Sequence, residues 1–354
     1  MGEKVLMKGN EAIGEAAIRS GCRHFFGYPI TPQTELSAYM AKKMPKIGGV
    51  FLQAESEVAA INMVYGAAGA GARAMTSSSS PGISLKSEGI SYIAGADLPC
   101  VIVDIVRGGP GLGGIQPAQS DYFQATKGGG HGDYHLLVFA PNSVQEIVSL
   151  VADAFNKSDE YRVPAMILGD GTLGQMMEPV DFDSVPEACP AQKDWATTGT
   201  KLKREHNIVN SLYLSPEELE KTIIERQKRY DIIKEKEQRY EAHDIEDADI
   251  IVTAYGTTSR VVESAVKTVR AEGLKVGVIR PITLWPFPEK IFSKAADTAK
   301  AFLSVEMSMG QMVEDVKIAV NGKADVHFFG RTGGIIPTPQ EIAEEIRKIE
   351  GGLR

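Results

Sequence analysis

Through residue 170, short β-branched runs alternate with longer stretches whose apolar residues recur at helical spacing. The pattern predicts a helix capped by Asn10 and running to Ser20, then a strand at Arg23–Phe26 ending in Gly27-Tyr28-Pro29. A helix follows at Gln33–Lys43, a strand at Val50–Gln53 and a helix of small and apolar residues at Ser56–Ala70. Arg73–Thr76 reads as a strand running into Ser77-Ser78-Ser79-Ser80-Pro81-Gly82, with a helix from there to Gly95. Pro99–Val106 is the most β-branched run and reads as a central buried strand. After the glycine-rich stretch Gly108–Gly132 come a strand (His135–Ala140), a helix (Val144–Asn156) and a strand (Ala165–Gly169). Strands that alternate with helices imply a parallel, doubly wound sheet.

Residues 178–214 lose this rhythm and read as a linker. Ser215-Pro216-Glu217-Glu218 is a capping box with proline at the first helical position. It opens a charged helix to about Tyr240, with Leu219, Ile223, Tyr230 and Ile233 as a thin apolar stripe. Acids are as dense as bases there, so it reads as a bridging helix rather than a nucleic-acid one. A second α/β rhythm starts at Asp249, with strands at Ile250–Tyr255, Lys275–Ile279, Phe302–Val305 and Val326–Phe329. Helices at Ser259–Glu272 and Gln340–Ile349 accompany them. The expected division is 1–180, a linker with the charged helix at 181–247, and a smaller Rossmann-like unit at 248–354.

The 354-residue length suits about two domains. A net charge of −8 argues against nucleic acid or an anionic membrane surface as partner. Cys22, Cys100 and Cys189 are scattered and odd in number, which speaks against a disulfide framework. Three thiols also fall short of the four an iron–sulfur cluster takes. The start, Met1-Gly2-Glu3-Lys4, is not that of a signal peptide, and no apolar run is long enough for a membrane span. A cytoplasmic protein is expected.

Three segments could carry chemistry. Gly27-Tyr28-Pro29-Ile30-Thr31-Pro32 sits where a strand gives way to a helix, the crevice in which open α/β sheets bind ligands. The alternative is a rigid turn with Thr31 as helix cap. Glu55 and Glu57 open an otherwise apolar helix. A dipole partnership covers Glu55, but Glu57 shares a face with Ile61 and Val64 and is placed to exchange a proton from a buried position. Arg107 closes the central strand, where a guanidinium suits bidentate capture of a carboxylate; pairing with Asp104 or Asp121 is the competing reading. Gly66–Gly71 follows no strand, so it reads as close helix packing rather than a dinucleotide loop. Gly169-Asp170-Gly171 resembles the opening of a thiamine diphosphate–magnesium motif but lacks its downstream asparagine, so it reads as a decoy. His131, Asp133 and His135 alternate without a fourth ligand and read as a polar strand entry rather than a metal site.

Tyr28-Pro29-Ile30-Thr31-Pro32, Ser56-Glu57-Val58-Ala59-Ala60, Ser78-Ser79-Ser80-Pro81-Gly82, Arg107-Gly108-Gly109-Pro110-Gly111 and His131-Gly132-Asp133 together resemble the alpha subunit of 2-oxoacid:ferredoxin oxidoreductases. The likeness covers the whole chain and is nearest the 2-oxoisovalerate (3-methyl-2-oxobutanoate) type. It implies a pyrimidine-binding domain of thiamine diphosphate enzymes, then a transketolase C-terminal-type domain. It also implies a beta subunit holding the diphosphate and magnesium, a ferredoxin-like subunit carrying [4Fe-4S] clusters, a gamma-type subunit, ferredoxin as acceptor and coenzyme A as substrate. By the same resemblance Glu57 is the carboxyl on the aminopyrimidine ring, with Tyr28 and Pro29 beside the cofactor. Thr31 and Arg107 meet the substrate carboxylate or carbonyl, and Ile30 and the Gly109–Gly113 loop shape its pocket. 2-Oxoglutarate would want a second cation, and none follows Arg107 until Lys127. That favours an apolar, branched 2-oxoacid over 2-oxoglutarate or pyruvate. A reading of another class is a non-catalytic Rossmann-like assembly subunit.

Overall fold

The computed structural model describes residues 4–186 and 188–353; the reading of Met1 to Glu3 lies outside them. In chain order the first unit holds β1 (Val5–Lys8), α1 (Gly9–Arg19), β2 (His24–Gly27), α2 (Thr34–Lys43), β3 (Val50–Gln53), α3 (Glu57–Gly69) and β4 (Ala74–Ser78). It continues with α4 (Ser80–Gly95), β5 (Val101–Val106), α5 (Tyr122–Thr126), β6 (Leu137–Phe139), α6 (Val144–Tyr161), β7 (Ala165–Asp170), α7 (Gly171–Gln175) and β8 (Met177–Val180). After a long connection come α8 (Pro216–Lys236), β9 (Tyr240–His243), β10 (Ile250–Thr253), α9 (Gly256–Ala271), β11 (Val276–Pro281) and β12 (Thr283–Trp285). The chain ends with α10 (Glu289–Ala295), β13 (Ala301–Glu306), α11 (Met312–Val320), β14 (Asp325–Gly330) and α12 (Pro339–Leu353).

The larger sheet has seven strands in the order β12-β6-β7-β5-β4-β2-β3, parallel except for β12. Every residue of β5 (VIVDIV) is buried, as a strand covered by helices on both faces requires. From β2 the chain goes to β3 on one side and then to β4 on the other, so the topological switch lies between β2 and β4. There the loops after the two strands diverge and leave a crevice. The smaller sheet runs β14-β13-β10-β11-β9, with only β9 antiparallel.

Local chemistry explains the helix starts. Ser56, Ser143 and Ser215 each accept a hydrogen bond at Oγ from a first-turn N–H of α3, α6 and α8. Asn10 is not a cap: it lies inside α1, and its Nδ2 donates to the Pro32 carbonyl (2.8 Å) and to Glu35 (3.0 Å). The charged helix stops at Lys236, and Tyr240 begins β9 instead. Of its expected stripe, Tyr230 and Ile233 are buried, while Leu219 is exposed. Cys22 and Cys100 are buried and burial pushes both thiols up to about 12.

The two sheets are joined by more than a linker. β12 pairs antiparallel with β6, so the second unit lends a strand to the first sheet. Arg280 of β11, 2% exposed, makes a two-pronged pair with Glu146 of α6 at 3.0 and 2.7 Å. Gln119 donates through Nε2 to the Tyr255 carbonyl (2.9 Å), while its Oε1 accepts from the Thr258 hydroxyl (2.8 Å) and from the Met307 N–H (3.0 Å). The glycine-rich loop after β5 is thereby fastened to the second unit.

Candidate active site

The crevice at the switch is built from the ends of β2, β4 and β5. Beyond Gly27 the chain turns through Tyr28 and Pro29, both exposed, and half-buried Ile30. Gln33 braces the turn: its Nε2 donates to the Tyr28 carbonyl (3.3 Å) and its Oε1 accepts from Ser77 Oγ (2.6 Å). Gln33, not Thr31, occupies the cap position of α2. Thr31 is exposed, and its hydroxyl has no partner among the described residues.

Glu57 is the first residue of α3, directly after the Ser56 cap. It is 6% exposed, yet neither a hydrogen bond nor an ion pair engages its carboxyl among the described residues. What permits this placement is a glycine opposite. A Cβ on Gly82, in the first turn of α4, would stand 2.7 Å from Glu57 Oε1. Glu55, two residues earlier, is exposed. A buried carboxyl with free valences and a glycine in front of it matches the need of a flat heteroaromatic ring whose nitrogen must be hydrogen-bonded.

Arg107 is buried at the end of β5 and pairs with neither Asp104 nor Asp121. Its Nη1 donates to the Thr31 carbonyl (3.1 Å) and its Nη2 to the Leu112 carbonyl (3.2 Å), while Nε has no partner. Its backbone N–H donates to Ser80 Oγ, which donates in turn to the Arg107 carbonyl, both at 3.1 Å. A buried guanidinium without a carboxylate is poised for an anionic ligand. Ser80 and Gly82 share the first turn of α4, so that turn brings Arg107, and through it Thr31, to the side of Glu57.

Three further charged groups lie beneath this turn. Asp104 of β5 accepts from the Ser80 N–H at 3.2 Å, in place of a capping side chain. Burial pushes its carboxyl well above the usual carboxylate range, and the neighbouring Asp121 charge adds to the rise. Asp121 is also raised by burial. Lys86, one turn after Gly82, is fully buried; burial pulls its ammonium down to about 8 against the pull of the Glu57 and Asp104 charges. The available signal for Lys86 is that it interrupts the apolar stripe of Ile83, Ile90 and Ile93 on one helix face.

The remaining motifs fall elsewhere. His131 and Asp133 are exposed, and half-buried His135 stacks on Trp285 with ring centroids 4.4 Å apart. No strand carries this segment, and no group of three His, Cys, Asp or Glu among the described residues is disposed to hold a metal ion. Asp170 caps α7 through the Thr172 and Leu173 N–H groups and accepts from the Thr257 hydroxyl. Of the Gly66–Gly71 run expected to pack closely, Gly71 does, since a Cβ there would stand 2.8 Å from Ala196 Cβ, whereas at Gly66 nothing lies within 4 Å; the tight helix-to-helix approach is at Gly89, where a Cβ would stand 2.4 Å from Ile61 Cγ2. Lys127 is engaged by Asp315. Beside Thr31 a cleft of about 420 Å³ opens, walled by Pro32, Ile115, Gly171 and Ile336. Leu112 and Ile115 of the loop after Arg107 are both exposed.

Residues 15–254 match the family of pyruvate flavodoxin/ferredoxin oxidoreductases, thiamine diphosphate-binding, and residues 248–342 match pyruvate:ferredoxin oxidoreductase core domain II. The chain is 50% identical over 346 residues to the ketoisovalerate oxidoreductase subunit VorB of Methanothermobacter marburgensis, covering 98% of each. It is 37% identical over 391 residues to the 2-oxoglutarate synthase subunit KorA of Methanothermobacter thermautotrophicus, covering 99% of this chain and all of that one (100%). Among solved structures it superposes with a TM-score of 0.89 and 29% identity on 2-oxoglutarate:ferredoxin oxidoreductase from Magnetococcus marinus, with 2-oxoglutarate, coenzyme A and succinyl-CoA bound. The match takes in 98% of this chain and 65% of that one, so the chain spans somewhat under two thirds of its solved relative. A split-gene transketolase at 15% identity and a TM-score of 0.61 shares the fold alone. The chain belongs to the thiamine diphosphate-binding family of pyruvate flavodoxin/ferredoxin oxidoreductases, as its motifs led one to expect.

Proposed function

We propose that this chain is the alpha subunit of a ferredoxin-dependent, coenzyme A-acylating 2-oxoacid oxidoreductase. Its reaction is the oxidative decarboxylation of 3-methyl-2-oxobutanoate to acyl-CoA and CO₂, with reduction of ferredoxin. The observation that carries the reading is a pair of buried, oppositely charged groups, Glu57 and Arg107, with no counter-ion bonded to either among the described residues and one helix turn between them.

When bound, thiamine diphosphate supplies the electron sink for the bond cleavage. Glu57 then holds a hydrogen bond at the aminopyrimidine nitrogen and passes a proton to and from it, in a site where burial keeps water away. Arg107 offers its free Nε to the substrate carboxylate while its other nitrogens stay on the Thr31 and Leu112 carbonyls. The Thr31 hydroxyl is free to reach the same substrate end. Tyr28 and Pro29 would flank the cofactor, and Ile30 would meet the substrate's side chain.

A branched apolar 2-oxoacid fits better than 2-oxoglutarate. The loop after Arg107 shows Leu112 and Ile115, and the next cation, Lys127, is tied to Asp315. The VorB relative at 50% identity supports this choice over the KorA relative at 37%. Diphosphate and magnesium belong, in this reading, to a beta subunit, and [4Fe-4S] clusters to a ferredoxin-like subunit that assembles with a gamma-type subunit. The domain limits 1–180 and 248–354 follow the same reading, with the pyrimidine-binding part first. No helix of the described residues is long and apolar enough to cross a membrane, and we place the complex in the cytoplasm.

The test is Glu57→Gln in the assembled complex. Turnover should fall by orders of magnitude while thiamine diphosphate stays bound. Unchanged turnover would favour the non-catalytic assembly subunit instead.

A further inference from the structure

The second unit has a topological switch of its own. From β10 the chain passes to β11 on one side and returns to β13 on the other, so the loops after β10 and β13 part at the carboxyl ends of these strands. That is where open α/β sheets take a ligand. Here the occupant is Gln119 of the first unit, 2% exposed. Its side chain bonds to Tyr255, Thr258 and Met307 of those two loops. Its backbone N–H donates to the Met307 carbonyl (2.8 Å), and its carbonyl accepts from the Tyr255 hydroxyl (3.1 Å). Every polar group of Gln119 is thus engaged in the crevice. Gly256 makes the room, since a Cβ there would stand 3.3 Å from Gln119 Nε2.

Gln119 ends the returning limb of the loop that Arg107 opens. Arg107 pairs with Pro117 as an isolated antiparallel bridge, and the Gly108 N–H donates to the Gln116 carbonyl (3.0 Å). At the tip between the two limbs, Gly111 and Gly113 have φ of 71° and 58°, and glycine backbone restrains itself little. Yet Leu112 in that tip supplies the carbonyl that takes Arg107 Nη2 at 3.2 Å. The tip therefore owes its position to the anchoring of its limbs. An amide, with one donor and one acceptor end, fixes the returning limb in register as an apolar filler would not. We propose that Gln119 is a positioning residue for Arg107. Seated in the second unit's crevice, it holds the glycine-rich loop so that the Leu112 carbonyl keeps the guanidinium oriented with Nε free. The second unit thereby sets substrate affinity without touching substrate. The proposal rests on the assignment of Arg107 to the substrate carboxylate.

The experiment measures dye-linked turnover of 3-methyl-2-oxobutanoate, bound thiamine diphosphate and thermal melting in the assembled complex. Gln119→Ala removes all three side-chain bonds. Gln119→Glu is milder, keeping acceptors for Thr258 and Met307 and losing the donor to the Tyr255 carbonyl. KM should rise about tenfold in both, within the coupling found inside one hydrogen-bonded network. Thiamine diphosphate should stay stoichiometrically bound and kcat should hold, as for a loss of uniform binding. In an Arg107→Ala background, Gln119→Ala should change KM by less than about twofold, because the group it positions is gone. Arg280→Lys, which loosens the other tie between the units, should lower the melting temperature and leave KM unchanged. An unchanged KM in the Gln119 variants overturns the proposal. So does the same rise in the Arg107→Ala background, an equal rise in Arg280→Lys, or failure of both Gln119 variants to assemble. An unchanged KM in Arg107→Ala alone overturns the carboxylate clamp itself, and the role of Gln119 with it.

Discussion

Gly82 is the most economical place to separate the site from the fold. It lies within α4, in helical backbone, so alanine there should add about 1 kcal/mol of helix stability by propensity alone. The new methyl would meet Ser78 Oγ at 2.0 Å, Glu57 Oε1 at 2.7 Å and Glu57 Cγ at 3.1 Å. Ser78 Oγ has no hydrogen-bond partner and can rotate away at little cost. Glu57 is met chiefly at the far end of its side chain and must retreat by roughly 1 Å to reach ordinary carbon contact. The fold absorbs this, because a terminal carboxyl moves without disturbing α3. Overpacking of about 1–3 kcal/mol offsets the propensity gain, leaving net destabilisation of at most about 2 kcal/mol. The reaction does not absorb it: a reacting group displaced by about 1 Å costs on the order of 100-fold in rate. Gly82→Ala should therefore assemble and melt within a few degrees of the wild type while kcat falls about 100-fold. Dye-linked turnover and thermal melting of the same complex measure both. Wild-type kcat in a variant shown to be folded would mean that the Glu57 carboxyl is not where the reaction needs it.

Arg107→Ala should raise KM for 2-oxoacids by about 10- to 100-fold, the worth of a charge-assisted hydrogen bond, and steady-state kinetics with an unchanged KM would remove the carboxylate clamp. For Asp104, burial and the Asp121 charge raise the folded-state pKa above the unfolded one. The folded chain then binds more protons than the unfolded chain, and stability falls as pH climbs from the unfolded aspartate value near 4 through the folded one. Asp104→Asn keeps an acceptor for the Ser80 N–H and removes this titration, so its melting temperature should decline less than the wild type's across about pH 5 to 9. Parallel declines would show that Asp104 is ionised in the fold.

Much of the frame was readable because it is local. Val50–Gln53 was set by its own short apolar run of Val50, Phe51 and Leu52, and the start of α3 by Ser56. Glu57 and Arg107 stood out because each breaks a pattern at a junction, an acid on an apolar helix face and a base at the end of a buried strand. The unread parts join distant segments. β1 pairs with β8 across some 170 residues, and β12 reaches back to β6, in strands of four and three residues. No window of sequence holds both partners of either pair. The Gly66–Gly71 run was legible only in part for a related reason: a glycine matters through what faces it, and Gly71 faces Ala196 while Gly66 faces nothing and Gly89, outside the run, faces Ile61.

The charges under α4 were hidden differently. Asp104 sits in the β5 run and Lys86 in the stripe of Ile83, Ile90 and Ile93, so each counts as noise in an apolar pattern until the other is seen across from it. The pattern also explains why Ser80-Pro81-Gly82 has its composition. Ser80 must be small and polar, because its N–H binds Asp104 while its hydroxyl holds both backbone groups of Arg107. Pro81 costs no hydrogen bond in the first turn of a helix. Gly82 leaves room for Glu57. Ser80 and Gly82 each answer to a charged residue on another element, so the motif is in part a record of what packs against it. A change at Ser80 or Gly82 should be felt at Arg107 or Glu57 before it is felt in the stability of the fold.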